Sequence, residues 1–222
     1  MKSSMLLVAV SAGASFAFLL ARPLTAGDWP VVLKVLSILL LAVVGGRIDR
    51  LLGGALALSS LGDFLLGVRR FGMLDAKSLF LFGLASFLVA HLVYIVMFRK
   101  YRALVWWKPG PARVGGVAII LITVAALLGI LWQSLGAMLI PVVVYALALS
   151  AMGISAMLAD LGSPLAAVGA LLFISSDAML AVNKFRQPHP RSEPLIWITY
   201  YLAQFLIVRG VEGHRRLVHR TP

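Results

Sequence analysis

The sequence predicts an all-α membrane protein, a polytopic bundle of eight transmembrane helices built as a parallel 4+4 internal repeat. Three observations predict it. The chain of 222 residues is 61% hydrophobic with a mean hydropathy of +1.00, well beyond the range of soluble globular domains. Eight apolar runs approach the roughly 20 residues that a helix needs to cross hydrocarbon. Two stretches 114 residues apart are near copies, and each sets an aspartate inside an apolar helix.

The runs follow in order. The first, about 4–21, follows Lys2 and ends at Arg22-Pro23. It has the outline of a signal peptide, but Leu24 fits poorly in a small-x-small cleavage site near Ala26, and its loss would break the repeat, so it is expected to be retained. The second, 30–46, carries Lys34 and closes at Gly45-Gly46-Arg47. The third, 51–68, holds Ser59, Ser60 and Asp63 and ends at Arg69-Arg70. The fourth, 78–98, carries His91 and Tyr94. Lys108-Pro109-Gly110-Pro111 then breaks the chain before the fifth, 114–132. Only a few uncharged residues separate that run from the sixth, 136–158. Gly162-Ser163-Pro164 precedes the seventh, 164–183, which carries Asp177 and Asn183. Gln187-Pro188-His189-Pro190 precedes the eighth, 195–210, with Tyr200, Tyr201 and Gln204. The expectation is one integral membrane domain over 1–222, with halves of about 1–108 and 109–210 and a basic tail at 211–222.

Twenty Lys/Arg against eight Asp/Glu give a net charge of +12. In a soluble protein that balance would suggest nucleic acid. Here the bases sit almost entirely in short loops between apolar runs, the pattern of orientation and headgroup contact, so nucleic-acid binding is excluded. With the N-terminus inside, the cytoplasmic side holds twelve bases: Lys2, Arg47, Arg50, Arg99, Lys100, Arg102, Lys108, Arg113, Arg209, Arg215, Arg216 and Arg220. The other side holds seven: Arg22, Arg69, Arg70, Lys77, Lys184, Arg186 and Arg191. Both termini are therefore expected in the cytoplasm, in a bacterial inner (plasma) membrane, with the tail against anionic headgroups. The count leaves the oligomeric state unread. No cysteine is present, which removes disulfides and thiolate metal sites. Of four histidines only His91 is intramembrane. A histidine-rich zinc site cannot be assembled, a two-Asp, one-His set is all that is left, and no metal or cofactor is expected.

The repeat reads small-Asp-x-(Leu/Met)-Leu-(Gly/Ala)-Val-polar-basic-Phe, over Gly62–Phe71 and Ser176–Phe185. It extends to Phe87-Leu88-Val89-Ala90-His91 and Tyr200-Tyr201-Leu202-Ala203-Gln204. Four spans per half make the halves parallel. At about 1.5 Å per residue, Lys34, Asp63, Asp177, Tyr200 and Gln204 fall in one layer roughly 8–14 Å below the outer boundary, with His91 about 20 Å down. Tyr200, Tyr201 and Gln204 can share a helix face, as can His91 and Tyr94. Such stripes suit helices that line a cavity. Each group keeps a plainer reading beside this one. Lys34 is a snorkelling cation, a counter-ion to a carboxylate or a phosphate-binding group. His91 is an interhelical hydrogen-bonding group or a site residue, and Tyr200 and Tyr201 belong to an interfacial belt or to the site. Asn183, Lys184 and Arg186 belong to a solvated loop, the reading favoured for Arg186, or to the site, with Lys184 the candidate headgroup contact. The aspartates are a structural ion pair with Lys34 or a catalytic pair. Asp160 is expected to end the sixth run in water.

Together these motifs resemble the YhhN-type lysoplasmalogenase family of integral membrane proteins. Lys34, Leu61–Leu66, Phe87–Tyr94, Gly169–Asp177, Asn183 and Tyr200–Gln204 carry the likeness, which covers about residues 30–210. Ser37 stands where a proline is expected soon after the lysine. The resemblance implies hydrolysis of the vinyl ether bond of a lysophospholipid, lysoplasmalogen, to a fatty aldehyde and glycerophosphoethanolamine or glycerophosphocholine. It also implies that the two acidic positions, Asp63 and Asp177, are functionally important. Vinyl ethers hydrolyse through protonation of the β-carbon and an oxocarbenium ion, as glycosides pass through an oxocarbenium-like state between two acids. Two carboxyls in a low-dielectric site can share a proton, one serving as acid and the other as anion. Lys34, His91, Tyr94, Asn183, Tyr200, Tyr201 and Gln204 would orient substrate or water, and Lys184 would meet the headgroup. The rivals are a hydrolase of another ether or ester lysolipid, and a small proton-coupled transporter or lipid-binding protein.

Overall fold

The computed structural model of the protein describes residues 2–24, 27–68, 71–102, 110–189 and 192–218. Ala26, Arg69, Arg70, Lys108, Pro109, Pro190, Arg191 and Arg220, invoked above for cleavage, span limits or orientation, lie outside the described residues. Eight helices long and apolar enough to cross a membrane are found among those described. They are α1 (Lys2–Ala21), α2 (Pro30–Ile48), α3 (Arg50–Gly67), α4 (Ala76–Lys100), α5 (Pro111–Leu131), α6 (Leu139–Leu158), α7 (Leu165–Phe185) and α8 (Ser192–Val218). The protein is an all-α integral membrane protein.

The helix ends have local causes. Proline opens α2 and α5, where its missing N–H leaves no bond unmade. Asp49 is the extended hinge between α2 and α3, and its carboxylate accepts from Leu51 N at 2.7 Å, capping α3. Asp75 does the same for α4 from Ser78 N at 2.8 Å. Hydrogen bonds from the Ser78 backbone and then its hydroxyl hold the Asp75 carboxyl below its ordinary range. This cap is therefore complete near neutral pH and is released as acid titrates Asp75. Two 3-10 turns, Trp132–Ser134 and Gly136–Met138, join α5 to α6. Gly136 supplies the left-handed step at φ 49°. Leu131 at the end of α5, Leu135 between the two turns and Val142 of α6 pack against Val182 and Phe185 of α7.

The eighth helix runs farther than its apolar stretch. It continues to Val218 because Glu212 accepts from Arg209 at 2.6 Å and from Arg216, three residues before and four after it. Such pairs sustain a helix where hydropathy does not. The segment read as a tail from 211 is thus helical as far as it is described.

The chain divides into two compact units, Met1–Tyr94 and Ile95–Pro222, so the division falls inside α4. The last turn of α4 belongs with the second unit. There Asp160 N donates to Tyr101 O at 2.6 Å, and the Tyr101 ring meets His214 edge-on at 5.2 Å. In the first unit α2 packs most closely on α3 and then on α1. A Cβ built on Gly53 would stand 2.6 Å from Gly46 Cα, so these backbones touch. In the second unit α7 and α8 make the most extensive contact. A Cβ on Gly169 would meet Ala203 O at 2.7 Å, and one on Gly210 would meet Ala166 Cβ at 2.9 Å. Small residues permit this approach where no hydrophobic drive separates helix from lipid.

Serine hydroxyls add ties between helices. Ser11 donates to Ser37 O at 2.7 Å and Ser60 to Val35 O at 2.9 Å. Ser86 donates to Leu58 O at 2.7 Å and Ser176 to Ile196 O at 2.9 Å.

Gly169→Val is accordingly expected to destabilise the protein by about 1–3 kcal/mol through overpacking. Gly129 has nothing within 4 Å of a built Cβ, so Gly129→Val is the control. Thermal unfolding in detergent compares them, and equal midpoints would refute the close α7–α8 contact.

Candidate active site

In the first unit the structure joins two of the expected residues. Lys34 on α2 and Asp63 on α3 form an ion pair with Nζ 3.0 Å from Oδ1. The aspartate side chain is 3% exposed and the lysine 21%, so the cation reaches inward to a carboxylate that water barely touches. Ser37 Oγ donates to Lys34 O at 2.7 Å. Thus the position where a proline is expected instead ties its own helix at the lysine. Phe87 of α4 lies over Gly62, leaving no room for a Cβ there (a built one would be 2.5 Å from the ring). Only glycine lets α4 approach α3 beside Asp63. One turn earlier Ser59 is fully buried. His91 and Tyr94 are fully buried on α4.

In the second unit Asp177 on α7 receives a hydrogen bond from the phenol of Tyr145 on α6. Gln204 Nε2 donates to Tyr200 OH at 3.3 Å within α8, and Gln204 is fully buried. Tyr200 is gripped by aromatic rings, Phe173 edge-on at 5.3 Å and Trp197 tilted at 5.5 Å. Trp197 also faces Tyr201 at 6.1 Å. Asn183 Oδ1 accepts from His189 N at 2.5 Å and so shapes the loop from α7 to α8. Lys184 is exposed at the end of α7. Ala178, Met179, Val182, Asn183, Gln187, His189 and Ser192 line an open groove of about 300 Å³. Asp160 is 63% exposed and lies 3.5 Å from Arg113.

The sequence reading passed over Tyr145 and Trp197. Tyr145 had a signal: it is a lone phenol in the second turn of α6, among Pro141, Val142, Val143, Val144, Ala146 and Leu147. Trp197 lies one turn before Tyr200 and Tyr201, and its spacing alone marked it as part of the same face.

Each unit thus sets a carboxyl in an apolar helix and gives it a partner of different chemistry, an ammonium for Asp63 and a phenol for Asp177. Residues 29–211 match the YhhN family. The chain belongs to the YhhN family. A lysoplasmalogenase of Mycobacterium bovis is 37% identical over 167 residues, covering 74% of this chain and 61% of that protein. Human lysoplasmalogenase TMEM86B is 36% identical over 165 residues, covering 73% and 63%. Lysoplasmalogenase TMEM86B of Sus scrofa is 34% identical over 210 residues, covering 90% and 83%. The match therefore spans about three fifths of the length of the mycobacterial relative. No solved structure matches. In this YhhN chain the matched region takes in Lys34, Asp63, His91, Tyr94, Tyr145, Asp177, Tyr200, Tyr201 and Gln204, and leaves out α1.

Proposed function

We propose that the protein is a lysoplasmalogenase, which cleaves the vinyl ether bond of a lysoplasmalogen with Asp63 and Asp177 as its essential carboxyls. The observation that carries this reading is the likeness to relatives named lysoplasmalogenase, one of them along most of its own length. The chemistry of the residues supports it. An intramembrane carboxyl is costly and is kept for a task, and vinyl ether hydrolysis asks for two, an acid and an anion. The buried Gln204 and Tyr200 offer hydrogen bonds to the ether oxygen or to water. Lys184, exposed at the end of α7, suits the phosphate. The products are a fatty aldehyde and the corresponding glycerophospho-base.

The test is aldehyde release from a defined lysoplasmalogen by the purified, detergent-solubilised protein, beside the double variant Asp63→Asn, Asp177→Asn. Release by the wild type alone is the expected result. An alkyl ether analogue should be inert, since it has no carbon to protonate. Equal release by both proteins would remove the carboxyls from the mechanism. No release from folded wild type would turn attention to another lysolipid or to proton-coupled transport.

A further inference from the structure

We propose that Tyr145 is a positioning residue that aims the Asp177 carboxyl as the proton donor to the alkenyl carbon, an inference that rests on the lysoplasmalogenase reading above. The acceptor of the proton is a carbon with no lone pair. The acid must therefore approach along the π orbital, and its direction matters more than in transfer between oxygens. An aspartate carboxyl turns freely about its last torsion, which is broad and roughly two-fold. Something must fix it. The Tyr145 phenol donates to Asp177 Oδ2 from the neighbouring helix, and so restrains the turn of the carboxyl. The α6 residues on either side of Tyr145, Val142, Ala146 and Leu149, are buried, so the helix that carries the phenol is packed there.

Asp177 is only partly buried, which suits it to meet substrate. In the step, the Asp177 O–H bond breaks and the alkene π pair forms a C–H bond at the β-carbon, leaving an oxocarbenium ion. Water adds to the α-carbon and returns its proton to the Asp177 carboxylate. The hemiacetal then collapses: its C–O bond to glycerol breaks, its hydroxyl proton passes to the glyceryl oxygen, and the aldehyde is released.

Hydrolysis in D2O tests this, because the step places one deuterium beside the aldehyde. Reduction in situ to the alcohol preserves that centre, and its enantiomeric ratio reports the direction of protonation. The wild type should deliver deuterium to one face. Tyr145→Phe should lower kcat by about 10–100-fold, since small misplacements of a catalytic group cost that much. KM should stay unchanged and facial selectivity should fall. Folded Tyr145→Phe with wild-type selectivity would overturn the proposal, even if its rate dropped. The ratio does not depend on how much protein folds, so membranes with little variant suffice. If none accumulates, Tyr145→His decides: its ring nitrogen falls short of the place of the phenol oxygen, so reduced selectivity supports the proposal and wild-type selectivity overturns it. A wild type that releases aldehyde of mixed configuration would overturn the positioning role and leave the lysoplasmalogenase reading standing. A wild type that releases none would remove both.

Discussion

Asp177→Asn is expected to lower turnover of lysoplasmalogen by about 10²–10⁴-fold, the usual contribution of a general acid, while leaving the protein folded. The amide matches the carboxyl in shape, and its oxygen can still accept from the Tyr145 phenol that Asp177 engages. It cannot give up a proton to carbon. The loss should therefore fall on kcat, with KM little changed. Kinetics on purified protein, with thermal unfolding run alongside, separate chemistry from stability. Undiminished turnover by a folded Asp177→Asn variant would assign the proton to another group.

Lys34→Met should act first on stability. It withdraws the ammonium that lies 3.0 Å from a carboxylate only 3% exposed. Removing one partner of a buried pair costs about 3 kcal/mol or more. Adding Asp63→Asn to Lys34→Met should restore most of that stability, because the anion is then gone as well. It should not restore turnover. Thermal unfolding of wild type, single and double variants forms the cycle. A Lys34→Met protein as stable as wild type would show that the pair contributes nothing to the fold and would leave Lys34 free for a role with phosphate.

The helices were legible because hydrocarbon sets their length. Runs expected at 30–46, 51–68 and 136–158 are found as Pro30–Ile48, Arg50–Gly67 and Leu139–Leu158. The far end of α8 was not legible, since its last turns are held by Glu212 between two arginines rather than by apolar residues. The site divides in the same way. Lys34 and Asp63 stood out as charges in apolar runs, and a pairing between them was among the readings the sequence allowed. Tyr145 gave only the faint signal of a lone phenol in an apolar run, because tyrosine is half apolar and its hydroxyl matters only once α6 is laid beside α7. Asn183 has both a loop reading and a substrate- or water-orienting one, and its described bond, from His189 N, ties it to the loop. Backbone amides three to six residues away are partners that a motif cannot display.

The serine ties have a consequence for how this protein is made. Ser11, Ser60, Ser86 and Ser176 each reach a carbonyl on a different helix. A serine is mild enough to enter the bilayer on an isolated segment, and its bond to a neighbour adds only about 0.6 kcal/mol once the helices meet. The attraction between helices is thus stored in groups that the insertion machinery hardly registers. Entry into the bilayer and lateral assembly become separately adjustable: serine-to-alanine changes would leave every segment inserted and loosen only their later association.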